Sequence, residues 1–342
     1  MMKEVGAKGR HQNNTGAGMT LAAWLDRFAV VILAALILVV LPILLDTFRL
    51  GLAAKYLCFA FPAVGIVLVW GYGGILSLGQ GAFFGLGSYM MAMFLKLESA
   101  ADAGSSSGTA LAAFFGTAGL PDFMAWNSVE ELPWWWEPFH HIWFTIPAII
   151  LIPAFVAFVL GYANFRRRVS GVYFAIVTLA VSAILAIVII GQQGLTGGIN
   201  GITDFKTFLG MDLDTDGAKL IMYYITAVLL IVILLAARFV LKSRLGRVLV
   251  AIRDSDDRVR YTGYDPAMFQ AFIFSVAALF SAIGGAMFTI QIGLASPALV
   301  GIVPSIEMVI YAAVGGRLSL IGAVYGAFLV NFAKTFFSEN FV

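Results

Sequence analysis

Long apolar runs separated by short polar or basic stretches organise this chain. Runs at 28–45, 50–70, 79–95, 143–164, 170–190, 219–241 and 268–292 are close to the length of about 20 residues that a helix needs to cross a bilayer. A further run, 305–337, is long enough for a short span and a full one, broken at Gly315-Gly316-Arg317. The pattern predicts an all-α polytopic membrane protein with about 8–9 transmembrane helices, some interrupted by glycine-rich segments. The first run follows a polar stretch, 1–27, and outlasts the apolar core of a signal peptide, about 7–15 residues. It therefore reads as an uncleaved first span.

One segment breaks the apolar pattern inside the predicted membrane region. Gly71-Tyr72-Gly73-Gly74-Ile75-Leu76-Ser77-Leu78-Gly79-Gln80-Gly81-Ala82-Phe83-Phe84-Gly85 is rich in glycine and carries a Ser and a Gln. Glycine weakens a helix and uncovers backbone polar groups, which lipid cannot satisfy. Such backbone is tolerated at membrane depth only against protein or along a polar cavity. The motif also recurs. Gly73-Gly74-Ile75-Leu76-Ser77-Leu78 matches Gly315-Gly316-Arg317-Leu318-Ser319-Leu320, and Gly81–Gly85 is echoed by Gly322–Gly326. Interrupted apolar segments at corresponding places in two halves point to a transporter's binding site.

Composition agrees with a membrane fold. The chain is 61% hydrophobic and 12% charged, against about 25% charged in soluble domains. A net charge of +2 carries no signal for nucleic acid. The one cysteine, Cys58, excludes a disulfide framework, and His11, His140 and His141 lack zinc-ligand spacing. No metal or cofactor is expected.

Charge also predicts orientation. With the N-terminus in the cytoplasm, fourteen Lys and Arg fall inside, in the tail 1–27, the turn 165–169 and the stretch 238–267. Five fall outside: Arg49, Lys55, Lys96, Lys206 and Lys219. The positive-inside bias favours this topology. It makes 1–27 a cytoplasmic tail, 28–342 the transmembrane domain, 96–142 an external loop and 242–267 a cytoplasmic segment. The external loop holds Ser105-Ser106-Ser107-Gly108 and Trp134-Trp135-Trp136, which either lie at the outer membrane surface or dock a protein. Asp204, Asp212, Asp214 and Asp216 lack EF-hand spacing and read as a solvated loop.

Candidate path residues are mostly uncharged. Tyr72, Ser77, Gln80 and Gly81 come from the first glycine element. Asn200 and Thr203 come from a second, Gly194–Thr203, at the predicted outer mouth. Thr178 is a weaker candidate, because helix hydroxyls also bond their own backbone. Glu307 either faces its own helix dipole or faces the path. Lys55 and Lys334 are near enough to span ends to snorkel. Neutral donors and acceptors suit a neutral or zwitterionic solute better than an ion. No span holds a histidine and no metal motif is present, so catalytic residues and an enzymatic role are not expected.

On the cytoplasmic segment, Val248, Leu249 and Ile252 make one apolar stripe on a short helix, which Gly263 would stop. Such a helix lies on lipid headgroups or docks in a partner's groove. Gly246-Arg247, Ala251-Ile252-Arg253-Asp254 and Gly263 resemble the coupling segment of ABC-transporter permeases of the branched-chain amino acid uptake family. Residues 74–83, Ser170-Gly171-Val172-Tyr173-Phe174 and Val314-Gly315-Gly316-Arg317 are similar to further elements of that family. The resemblance extends from about residue 50 to the end. Within its LivM-like branch, the segments Leu120–Met124, Glu131–Trp136, Asn200–Lys206 and Asn331–Thr335 are most similar to urea-uptake permeases.

That resemblance implies a permease subunit of an ATP-driven importer in a bacterial inner membrane, carrying urea or, alternatively, a branched-chain amino acid or short amide. Without a Gly-x-x-x-x-Gly-Lys-[Ser/Thr] loop, ATP hydrolysis belongs to other chains. The implied partners are a second homologous permease, two cytoplasmic ATPase subunits, a periplasmic substrate-binding protein and membrane lipid. Arg247, Ala251, Arg253, Asp254 and Gly263 would couple to the ATPases. The family usually has His where this chain has Gln80, and usually continues past the position of Val342 with one more span. An energy-independent urea or water channel is the rival class, against which the coupling segment argues.

Overall fold

The structure, a computed structural model, describes residues 28–104, 120–127, 129, 131–169 and 171–340. The tail 1–27 and the Ser105–Gly108 stretch lie outside the described residues. The helices are α1 (Phe28–Leu44), α2 (Thr47–Tyr72), α3 (Gln80–Gly104), α4 (Ile142–Arg166), α5 (Val172–Gly191), α6 (Asp216–Lys242), α7 (Arg244–Asp254), α8 (Asp256–Tyr261), α9 (Pro266–Ile292), α10 (Ile302–Gly315) and α11 (Leu320–Asn340). Six of them, α2, α4, α5, α6, α9 and α11, are long and apolar enough to cross a membrane. Helices α1 and α10 are apolar but shorter. Helix α3 has the length, but carries Gln80, Ser88, Lys96 and Glu98. The chain is an all-α polytopic membrane protein, with its few strand residues confined to two-residue pairings.

Local chemistry sets the helix limits. Thr215 caps α6 by accepting from the Ala218 amide at 3.3 Å, with Asp216 in the first turn and Lys242 in the last. Asp265 caps α9 through the Ala267 amide at 3.1 Å, and Pro266 opens the helix where no amide hydrogen is needed. Helix α9 is the hub, packed against α2, α3 and α4. On one side Phe59, Phe84, Phe288 and Tyr311 cluster, with contacting ring centroids 5.4 to 5.9 Å apart. On the other, Phe274 meets Phe83 and Phe174. Helices α2 and α9 are mostly buried, whereas most of α4, α5 and α11 is left partly or fully exposed, as in lipid-facing helices.

The connections sort to two ends. Residues 202–203 pair antiparallel with 294–295, and Lys96 Nζ reaches the Thr203 carbonyl at 3.3 Å, so these mark one end. Residues 71–72, 253 and 317–318 meet at the other, which also carries the basic stretch around α7.

Several expectations need correction. Helix α3 continues to Gly104, so the segment between the third and fourth spans starts later than residue 96. A further helical turn, Asp122–Trp126, sits within that segment. The tryptophan cluster does not behave as one interfacial belt. Trp134 is 81% exposed, but Trp136 is fully buried against Phe123 and Trp135. Beside it, burial and then the neighbouring His141 hold His140 below the usual imidazole range. The basic segment 242–267, expected as one short helix, holds two, α7 and α8, broken at Ser255. Gly263, with φ +86°, follows the second of them.

Candidate translocation site

Helix α2 ends in a widened turn over Val67–Tyr72, where the Gly73 amide donates to the Leu68 carbonyl at 3.1 Å. Gly74 then adopts φ +71°, a left-handed conformation that favours glycine, and the chain runs irregularly to Gln80. Protein groups satisfy part of this uncovered backbone. The Leu78 amide donates to Thr178 Oγ1 of α5 at 3.1 Å, and the Gly79 amide to Ser77 Oγ at 3.4 Å. Ser77 is buried in the process. Thr178 in turn donates to the Ala175 carbonyl at 2.9 Å, so its hydroxyl serves both its own helix and the break.

Helix α3 thus begins beside the middle of its neighbours. Gln80 is fully buried, with Oε1 2.7 Å from Ser281 Oγ near the midpoint of α9. Ser281 Oγ also lies 3.0 Å from the Ala277 carbonyl. A hydroxyl has one hydrogen, so a single Ser281 cannot donate to both. Gln80 Nε2 has no hydrogen-bond partner among the described residues. One residue on, the Gly81 amide donates to Ser305 Oγ of α10 at 3.2 Å, and Ser305 lies 3.2 Å from Ser182 Oγ of α5. The first turns of α3 and α10 therefore meet in a buried seam of uncharged groups from four helices: Gln80, Gly81, Ser182, Ser281 and Ser305. Helix N-termini direct unpaired N–H groups at such a place, which suits a carbonyl or carboxylate oxygen.

The seam has a second rung. Ser88 Oγ lies 2.7 Å from Thr289 Oγ1. Gln80 to Ser88 and Ser281 to Thr289 are both eight-residue steps, so α3 and α9 run parallel in register. Glycine permits the close approach, since Gly285 abuts the Phe84 carbonyl and Gly87 the Ala282 backbone. Ser182, Ser281, Ser305, Ser88 and Thr289 were not singled out from the sequence. The shared eight-residue spacing was the available signal.

Other expected path residues lie elsewhere. Asn200 and Thr203 are exposed at the far end, where Thr203 donates to Asp204 Oδ2 at 3.1 Å. That end is tied to α3, because Lys96 Nζ reaches the Thr203 carbonyl at 3.3 Å, Ser99 Oγ accepts from the Lys206 amide at 3.2 Å and Glu98 from the Gly210 amide at 2.7 Å. Glu307 sits past the first turn of α10 and pairs with Lys334 Nζ of α11 at 2.7 Å. Tyr311 Oη also donates to Glu307 Oε2, at 3.2 Å, so Glu307 has two side-chain partners and Lys334 has a carboxylate. Tyr72 donates to the Leu318 carbonyl at 2.7 Å, at the basic end.

The repeated motif occupies equivalent places. Gly74 and Gly316 correspond, and both have positive φ, +71° and +95°. Each lies in a break between two helices, and Ser77 and Ser319 each accept a backbone amide just downstream.

Beyond the breaks, α7 and α8 enclose a groove of about 630 Å³ lined by Arg247, Val248, Ala251, Asp254, Arg258 and Val259, among others. Of the predicted stripe, Leu249 and Ile252 face the membrane helices and are buried, whereas Val248 lines the groove. Arg253 does not line the groove. Its Nη1 donates to the Gly71 carbonyl at 3.0 Å. Among the described residues, no group of three or more His, Cys, Asp or Glu is placed to hold a metal.

A family model described as "Branched-chain amino acid transport system / permease component" matches residues 48–341. Two curated relatives are each 23% identical over 311 residues, covering 84% of this chain. They are the high-affinity branched-chain amino acid transport system permease proteins LivM of Salmonella typhimurium and Escherichia coli. The alignments span 63% of those relatives' length. No solved structure matches.

Proposed function

Because this chain belongs to the branched-chain amino acid transport system permease family, we propose that it is the membrane subunit through which an ATP-driven importer passes urea. The uncharged seam of Gln80, Ser182, Ser281 and Ser305 is the observation that carries the substrate class. Urea offers one carbonyl acceptor and four N–H donors, which hydroxyl, amide and backbone groups match without a counter-charge. In this reading the seam is closed at rest, and the helices that begin there, α3 and α10, move apart to let solute through. Asn200 and Thr203 stand at the entrance, on the periplasmic face, where a binding protein delivers solute. The α7–α8 groove receives an ATPase subunit, with Arg247, Ala251 and Asp254 at the contact. A second permease of the same family completes the pathway, and the N-terminus is cytoplasmic.

A branched-chain amino acid is the second reading. The relatives' names favour it, and so do the two helix N-termini at the seam, which suit a carboxylate. Glu307 is engaged by Lys334 and supplies no free partner for the ammonium, which keeps urea first.

Reconstitution with the cognate binding protein and ATPases decides between them. ATP-dependent uptake of labelled urea into proteoliposomes is expected, with leucine a poor competitor. Leucine uptake without urea uptake would replace the first reading by the second. Uptake at full rate without ATP would make the protein a channel.

A further inference from the structure

Arg253 lies on the segment that carries the groove, yet its partly exposed side chain reaches away from the groove to the first helix break. The guanidinium donates to the Gly71 carbonyl at 3.0 Å, in the widened last turn of α2. Its stem fills the space beside Gly74, where a Cβ would meet Arg253 Cγ, Cβ and Cα within 3.3 Å. Asp254 steadies the same guanidinium at 3.0 Å from the neighbouring position. One side chain therefore covers two residues of the first helix break: a carbonyl in the last turn before it and the left-handed glycine within it.

The first break is clasped to the second. Tyr72 donates to the Leu318 carbonyl at 2.7 Å, and Gly71 packs directly on the Arg317 carbonyl. Those two carbonyls lie in the turn between α10 and α11. Upstream of that turn α10 leads back to Ser305, and downstream of the first break α3 starts at Gln80. A displacement of α7 thus reaches both sides of the buried seam through one guanidinium and one phenol.

We propose that Arg253 is a transmission residue: it converts movement of the docked α7–α8 segment into movement of both glycine breaks and so opens the seam, and it does not hold the ATPase. This rests on the importer reading above and adds to it a division of labour within the segment, with docking by the groove and transmission by Arg253 and Tyr72.

The test separates assembly, hydrolysis and uptake in the reconstituted complex. Arg253→Met keeps the stem against Gly74 and removes the guanidinium. Co-purification with the ATPase subunits and the ATP hydrolysis rate are expected to stay within about twofold, while uptake of labelled urea or leucine falls about tenfold or more, within the range of coupling mutations. Tyr72→Phe, which removes one hydroxyl, is expected to show the same split and decides alone if Arg253→Met does not fold. Loss of co-purification would make Arg253 a docking residue and overturn the proposal. Hydrolysis and uptake falling in step, or neither changing, would overturn it too. A wild-type complex that takes up neither solute on ATP defeats the importer reading instead. Hydrogen exchange on the isolated permease then still judges Arg253. Faster exchange in Arg253→Met at both 71–79 and 316–322 supports the clasp, and a change confined to α7 refutes it.

Discussion

Single residues at the seam and the breaks carry different loads, and substitution separates them. Gln80→Leu removes one interhelical hydrogen bond, worth about 0.6 kcal/mol in membrane interiors. Ser281 keeps the Ala277 carbonyl as partner. Thermal unfolding in detergent should therefore shift little, while ATP-driven uptake falls strongly. A variant that unfolds early would instead make Gln80 a structural residue. Gly74→Ala is expected to act on stability first. An L-residue at φ +71° costs roughly 1–2 kcal/mol, and the new Cβ also meets Arg253. Gly51 lies inside α2 with open space around it, so Gly51→Ala, expected to leave stability unchanged or slightly raised, serves as the control in the same unfolding assay. The Gly74–Gly316 correspondence was legible in the sequence, because glycine spacing records a backbone need. The Gln80–Ser281 bond was not, because serines in apolar helices most often bond their own backbone.

Between elements, the α3–α9 contact depends on missing side chains. Gly285→Val would drive a branched side chain onto the Phe84 backbone, where no flexible neighbour can yield. Overpacking of this kind costs about 1–3 kcal/mol or more. Lower yield and earlier melting are expected, and unchanged melting would mean that α3 and α9 do not pack this closely. The α7–α8 groove makes the contrasting prediction. Ala251→Glu places a carboxylate in a groove that Arg247, Arg258 and Asp254 line. Binding of the ATPase subunits should weaken while the permease itself melts normally, as a pull-down beside a melting curve would record. The sequence located this segment but presented it as one helix with a stripe. Ser255 divides it, and Leu249 and Ile252 turn to the core because the membrane helices offer them an apolar surface.

For the whole molecule, topology and direction of transport belong together. With the proposed orientation, a cysteine placed at Ser255 reacts with a charged maleimide added from the cytoplasmic side, and one at Asp212 reacts from the other side. Buried Cys58 leaves a low background. Labelling of both from the same side would overturn the orientation. By itself the sequence determined what the solvent demands. The approximate places of the membrane helices, the two glycine breaks and the basic end follow from residue type, because lipid penalises charge and unpaired backbone wherever they occur. Only the tertiary structure decided which apolar faces meet protein and which meet lipid, since both surroundings are apolar and hydropathy reads them alike. For the same reason it alone brought Gln80 to Ser281, paired Glu307 with Lys334, left Asn200 and Thr203 at the far end, and turned Arg253 from the groove to the Gly71 carbonyl.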